Sequence, residues 1–155
     1  KKPMVSNGNA LIVSPDAGGV PRARSLAKEL NLDIAIIDKR RDKANESEAM
    51  NVIGNVKGKQ CIIADDIVDT GGTLVKAADA LLKNGAEEVQ AYITHGVLSN
   101  GGMKTINESS MGGLTITDSI PQYDNKKIKV LSVSKLFAEA IRRVHHDESI
   151  SVLFE

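Results

Sequence analysis

Hydrophobic positions along this chain form short unbroken runs, and the stretches between them carry apolar residues at helical spacing. Ala10 to Val13 is an apolar run closed by Ser14-Pro15-Asp16, which predicts a buried strand ending in a turn. Val20, Ala23, Ala27 and Leu30 recur with the helical period, so a helix over Val20 to Leu30 should follow Gly18-Gly19. Ile34 to Ile37 reads as a second buried strand. Asp38 to Asn51 is charged, poor in large apolar groups and without a period. A third strand is predicted over Gln60 to Ala64, entered by a turn at Lys57-Gly58-Lys59 and stopping at Asp65-Asp66. Thr73 to Leu82 reads as a helix closed by Asn84-Gly85, a common C-terminal stop. Glu88 to Thr94 is a fourth strand. The Gly/Ser-rich stretch Ser99 to Gly113 holds a short helix around Met103 to Asn107. Leu114 to Thr117 and Ile128 to Ser132 are two more strands, and Ser134 to Val144 is the last helix.

Strand and helix alternate without a fixed repeat or a low-complexity linker. That pattern predicts one α/β domain over residues 1–155, with an open, mainly parallel sheet and helices on both faces. Sheets of this kind bind ligands at the carboxyl ends of their strands, so function should be sought in the residues that follow each strand.

Composition narrows the class. With 41% hydrophobic and 26% charged residues among 155, the chain has the balance of a soluble globular protein. No apolar run approaches the roughly 20 residues that cross a bilayer, and Lys1-Lys2-Pro3 is not followed by the apolar core of a signal peptide. Twenty basic residues match twenty acidic ones, so no global field draws the protein to nucleic acid or to a membrane. Aromatic residues are 3% and tryptophan is absent, which disfavours base stacking. The single cysteine, Cys61, lies in an apolar run and reads as inert core in a reducing, cytoplasmic setting. An anionic ligand must therefore be held by local chemistry.

The strongest local signal is Ile62-Ile63-Ala64-Asp65-Asp66-Ile67-Val68-Asp69-Thr70-Gly71-Gly72-Thr73. Hydrophobic residues deliver two adjacent carboxylates to the top of the sheet, and a turn then leads to the mouth of a helix. Unpaired N–H groups and the positive dipole end make that mouth attractive to phosphate. Glycines let the backbone approach the anion, and the threonine hydroxyls add donors. Asp65 and Asp66 repel phosphate but suit hydroxyl groups or a divalent metal. A phosphate beside a polyol describes a sugar phosphate. The plainer alternative gives Thr70 a helix-capping role and the aspartates a place in a surface turn.

Acids followed by Thr-Gly-Gly-Thr resemble the phosphoribosyl pyrophosphate loop of the phosphoribosyltransferase family. Three further segments narrow the resemblance: Ser14-Pro15-Asp16-Ala17-Gly18-Gly19 at the tip of the first strand, Asp38-Lys39-Arg40-Arg41 after the second, and Glu148 to Phe154 at the end. In this order, over Ala10 to Phe154, they resemble the C-terminal domain of the ribose-phosphate pyrophosphokinase family. Pro21 and the Gly/Ser-rich stretch are less typical of it. The resemblance implies a type I phosphoribosyltransferase-like fold, occurring twice per family member, in homo-oligomers that are typically hexamers. It implies the magnesium-dependent transfer of pyrophosphate from ATP to the anomeric hydroxyl of ribose 5-phosphate. Asp69, Thr70, Gly71, Gly72 and Thr73 would hold the 5-phosphate, and Asp65, with Asp66 beside it, would face the ribose hydroxyls. Asp16 would sit at the magnesium, and Lys39 and Arg41 would be the basic pair of a mobile catalytic loop, Arg41 also reaching ribose 5-phosphate. Ser149 and Ser151 would help bind regulatory phosphate or ADP at a subunit boundary.

The family's N-terminal half, which supplies the adenine loop, triphosphate contacts and a metal-binding histidine, is not reproduced by any segment of this chain. Two other readings share the loop. A salvage phosphoribosyltransferase would need a hood over a base, for which there is no candidate segment. A non-catalytic regulator on the same fold would not need Lys39 and Arg41. His95, His145 and His146 read as structural or surface residues.

Overall fold

The structure is a computed structural model and describes residues 9–40 and 49–154. Its first strand, β1 (Ala10–Ser14), lies in the interior of the sheet and is buried at every position. Alternation sends Ala10 and Ile12 to one face of the sheet and Leu11 and Val13 to the other. Around β1 lie β2 (Asp33–Arg40), β3 (Ala49–Ile53), β4 (Gln60–Val68), β5 (Glu88–Gly96), β6 (Gly113–Thr117) and β7 (Ile128–Leu131). They form a seven-stranded sheet in the order β3-β2-β1-β4-β5-β6-β7. All neighbours are parallel except β2 and β3.

Helices cover both faces, as the alternation predicts. On one face α1 (Val20–Leu30) packs Ala23 and Ala27 against Ala10, Ile12, Ile62 and Ala64. Those small residues bring helix and sheet close together. On the other, α2 (Gly72–Lys83) and α3 (Gly102–Glu108) build the larger core, with Leu74, Ala77, Leu81 and Ile106 over Val13, Cys61 and Ile63. Cys61 is fully buried, and desolvation pushes its thiol up to about 11, so it remains protonated and inert, as expected of core.

Several boundaries differ from the sequence reading. β4 does not stop at Asp65-Asp66: its ladder with β5 continues to Val68, opposite Gly96. Polar side chains at a strand tip leave the backbone free to pair, provided that the neighbour is long enough. β2 likewise extends past Ile37, so Asp38, Lys39 and Arg40 lie within a strand, paired with Asn51, Met50 and Ala49. The partner is β3, which the sequence reading missed. Met50 and Val52 of β3 pack on the core, and Ile53 is exposed, so an edge strand of this kind carries half the usual apolar signal. Finally, Ser151 opens a 3-10 turn, Ser151–Leu153, and Ser149 lies just before it.

The last helix, α4 (Ser134–His145), has no buried residue. Leu136, Phe137, Ile141 and Val144 stand exposed along it, followed by Val152 and Phe154. Among the described residues no helix is long and apolar enough to cross a membrane.

Candidate functional site

The order of strand addition reverses at β1. Its neighbour β2 lies on one side and β4 on the other, and the carboxyl ends of β1 and β4 therefore open a crevice at the switch point of the sheet. Pairing of Val13 with Ile63 carries Pro15 alongside Asp65. Both line a concave cavity of about 220 Å³ together with Asp69, Thr70, Gly71 and Thr73. Five of the expected sugar-phosphate residues thus meet in one hollow, walled on its apolar side by Ile67, Val68, Leu74 and Ile93. Asp66 and Gly72 do not line it.

The helix entrance at the floor of this hollow is uncapped. Gly71 occupies the N-cap in the left-handed region, at φ 77°, with no side chain bonded to the first-turn amides. Thr70 therefore precedes the cap and does not act as one. The first intrahelical bond runs from the Val75 N–H to the Gly71 carbonyl. Amides of the first turn before Val75 point out of the helix without an intrahelical acceptor. With no acid in the first turn, the dipole end is not neutralised by a side chain.

A second element holds this loop in shape. Ser99 Oγ donates to Asp69 Oδ1. At Gly102, the first residue of α3, a Cβ would lie 2.8 Å from the Asp69 carbonyl oxygen and 3.2 Å from Thr70 carbonyl atoms. A Cβ at Gly71 would meet Ile106 at 3.1 Å. The Ser99–Gly102 turn thus braces residues 69–71 from behind. The Gly101-Gly102 pair, following Ser99-Asn100 in a stretch read only as Gly/Ser-rich, was the signal that could have indicated a close approach.

The two acids have different surroundings. Asp65 is half-buried and Asp66 exposed. Arg22, in the first turn of α1, donates from Nη1 to Asp65 Oδ1 at 2.6 Å and from Nη2 to Asp66 Oδ2 at 2.7 Å. Desolvation by burial is the main influence on Asp65 and holds its carboxyl above the usual range, more than offsetting the guanidinium. At Asp66 desolvation is outweighed by the charge of Arg22, and the carboxyl falls below that range. Sequence reasoning passed over Arg22, because nothing in the spacing of α1 distinguishes it from Arg24.

Asp16 follows β1 and accepts the Gly19 N–H on Oδ1 at 2.8 Å, while Ser14 Oγ donates to its carbonyl. It therefore shapes the turn into α1 as well as standing at the strand tip. Lys39 lies in β2 as described above, and Arg41 falls outside the described residues. His95 Nδ1 is 2.9 Å from Ser119 Oγ, and the His145 and His146 rings meet edge to face. No group of three or more potential metal-ligating side chains occurs among the described residues.

Ser149 and Ser151 lie remote in sequence from the crevice and contact one another, Oγ to Oγ, at 3.1 Å. Their turn is tied to α4 by Arg143, which donates to the Ser149 carbonyl, and by Arg142, which bridges Glu139 and Glu148. Hydrogen bonding from Arg142 holds the Glu139 carboxyl down at about 2, from an ordinary 4.5. A depressed carboxylate contributes stability that is present above its unfolded pKa and lost as pH falls through the folded one. Amide protection of α4, followed by hydrogen exchange, should therefore decline between pH 4.5 and about 2. Glu139→Gln should show the reduced protection already at neutral pH.

Residues 40–155 match the family described as Phosphoribosyl synthetase-associated domain. Ribose-phosphate pyrophosphokinase of Campylobacter jejuni is 57% identical over 147 residues, which is 94% of this chain and 48% of the relative. Among solved structures, phosphoribosylpyrophosphate synthetase from Mycobacterium smegmatis superposes with a TM-score of 0.82 at 35% identity, over 90% of this chain and 46% of that one. An adenine phosphoribosyltransferase, at 18% identity and TM-score 0.54, shares the fold. The chain spans about half the length of the curated relatives it matches.

Proposed function

The chain belongs to the phosphoribosyl synthetase-associated domain family, and from that premise we propose that it is the ribose 5-phosphate-binding, C-terminal half of a cytoplasmic ribose-phosphate pyrophosphokinase. The observation that carries this reading is the uncapped α2 entrance sharing one hollow with Asp65. The 5-phosphate rests on the first-turn amides of α2 and on the Thr70 and Thr73 hydroxyls, close to the backbone because Gly71 and Gly72 carry no side chain. Asp69, held by Ser99, acts on the phosphate by fixing the loop. Asp65 accepts hydrogen bonds from the ribose hydroxyls, with Asp66 beside it.

In the reaction, the anomeric hydroxyl attacks the central phosphorus of ATP in line with the departing AMP oxygen. Negative charge grows on the non-bridging oxygens, and Lys39 and Arg41 offset it, the first as a point charge and the second as a planar fork. Magnesium takes oxygen donors and keeps several waters and substrate oxygens. Asp16 offers a carboxylate at the carboxyl end of β1, an oxygen donor of the kind such a loosely held ion takes. When bound, it would neutralise phosphate charge. ATP contacts beyond these come from an N-terminal half and from further subunits, in a hexamer by family resemblance. The exposed apolar side of α4 supports association of that kind. Ser149 and Ser151 would take regulatory phosphate or ADP at such a boundary.

Mixed with ribose 5-phosphate, ATP and magnesium, the chain alone should release AMP no faster than a blank. Joined to the N-terminal half of a relative it should release AMP steadily, and Lys39→Ala should slow this by about a hundredfold or more. Consumption of a purine or pyrimidine base in place of AMP release would select the salvage transferase reading and overturn this one.

A further inference from the structure

Among the described residues, Arg22 makes charge–charge contacts at the crevice that the proposed chemistry does not use. It is the third residue of α1, entered through Val20 and Pro21, and it reaches across to the tip of β4. Its two terminal nitrogens are divided between neighbouring carboxylates, 2.6 Å from Asp65 and 2.7 Å from Asp66. Arg22 does not line the hollow that holds Asp65 and Thr73. It lines a separate hollow on the α1 side, with Ser25, Leu26 and Tyr92, that meets the first at Asp65. Asp65 is therefore a partition, with sugar space on one side and a guanidinium on the other.

Two adjacent acids at a strand tip repel each other and would swing apart into solvent. The fork of an arginine is suited to binding one oxygen of each and holding both at fixed spacing. At Asp65 the fork takes Oδ1, which also accepts the Asp66 N–H at 3.0 Å. Oδ2 receives no hydrogen bond from the described residues and is left for a ligand hydroxyl. We infer that Arg22 is a positioning residue that holds Asp65 in register with the sugar, so that the site distinguishes ribose from a deoxysugar without Arg22 touching the ligand.

The inference rests on the ribose reading of Asp65, and the test separates the two. Calorimetric titrations compare ribose 5-phosphate with 2-deoxyribose 5-phosphate on the wild-type chain, Arg22→Met and Arg22→Lys. Wild type should prefer the ribose compound. Arg22→Met should lose about tenfold in affinity for it, with less than about a twofold change for the deoxysugar and an unchanged thermal midpoint. Arg22→Lys, able to reach one carboxylate at a time, should recover part of the preference. A merely structural role would weaken both ligands alike in either variant, and that result, or an unchanged preference, overturns the inference. If wild type binds neither sugar phosphate, the parent reading fails with it.

Discussion

Gly102→Val should lower affinity for ribose 5-phosphate by about a hundredfold while costing about 1–3 kcal/mol of stability. The new Cβ would stand 2.8 Å from the Asp69 carbonyl oxygen and 3.2 Å from backbone atoms of Thr70, closer than side-chain carbons approach backbone. Neither neighbour can turn aside as a flexible side chain would. Either α3 withdraws, taking the Ser99 bond to Asp69 with it, or residues 69–71 shift toward the cavity they line. Both outcomes displace the α2 entrance by a few tenths of an ångström or more. A constellation of donors aimed at one phosphate is sensitive to displacements on that scale. Ser99→Ala is the milder companion, removing one hydrogen bond without a clash. Titration with ribose 5-phosphate alongside thermal unfolding separates the effects. A valine variant that binds like wild type would show that the brace is irrelevant to the site.

Much of this arrangement was legible from the chain. Buried parallel strands need apolar residues on both faces, so β1 and the first half of β4 announced themselves by composition. The loop was legible because acids, threonines and glycines have few other reasons to sit together after a strand. What escaped depended on neighbours remote in sequence. β4 runs on through Asp65 and Asp66 because β5 offers partners as far as Gly96, and nothing local to the aspartates encodes that. β3 was hidden because an edge strand buries few apolar residues, here Met50 and Val52. Arg22 is joined to Asp65 across 43 residues, and the brace from Ser99 to Asp69 spans 30. Contacts of that range become visible only when the order of strands is known. A charge run such as Asp38-Lys39-Arg40 misleads for the converse reason: its backbone belongs to a ladder with β3 whatever its side chains do.

The proposed phosphate site depends on the unneutralised entrance of α2, and one substitution sets fold against function there. Thr73 is the second residue of α2, a helix with no acid in its first turn and no capping side chain. Thr73→Asp places a carboxylate where the dipole favours one, which should stabilise the chain by about 0.3–1 kcal/mol. The same carboxylate would confront the 5-phosphate at close range. Like charges about 4 Å apart near a protein surface repel by roughly 4 kcal/mol, enough to weaken binding at least about a hundredfold. The decisive measurement is a calorimetric titration of ribose 5-phosphate into wild type and Thr73→Asp, with thermal unfolding of both. Saturable binding to wild type, its loss in the variant and an equal or higher melting temperature are the predicted result. Equal affinity in the two proteins, or no heat from wild type at millimolar ligand, would contradict it.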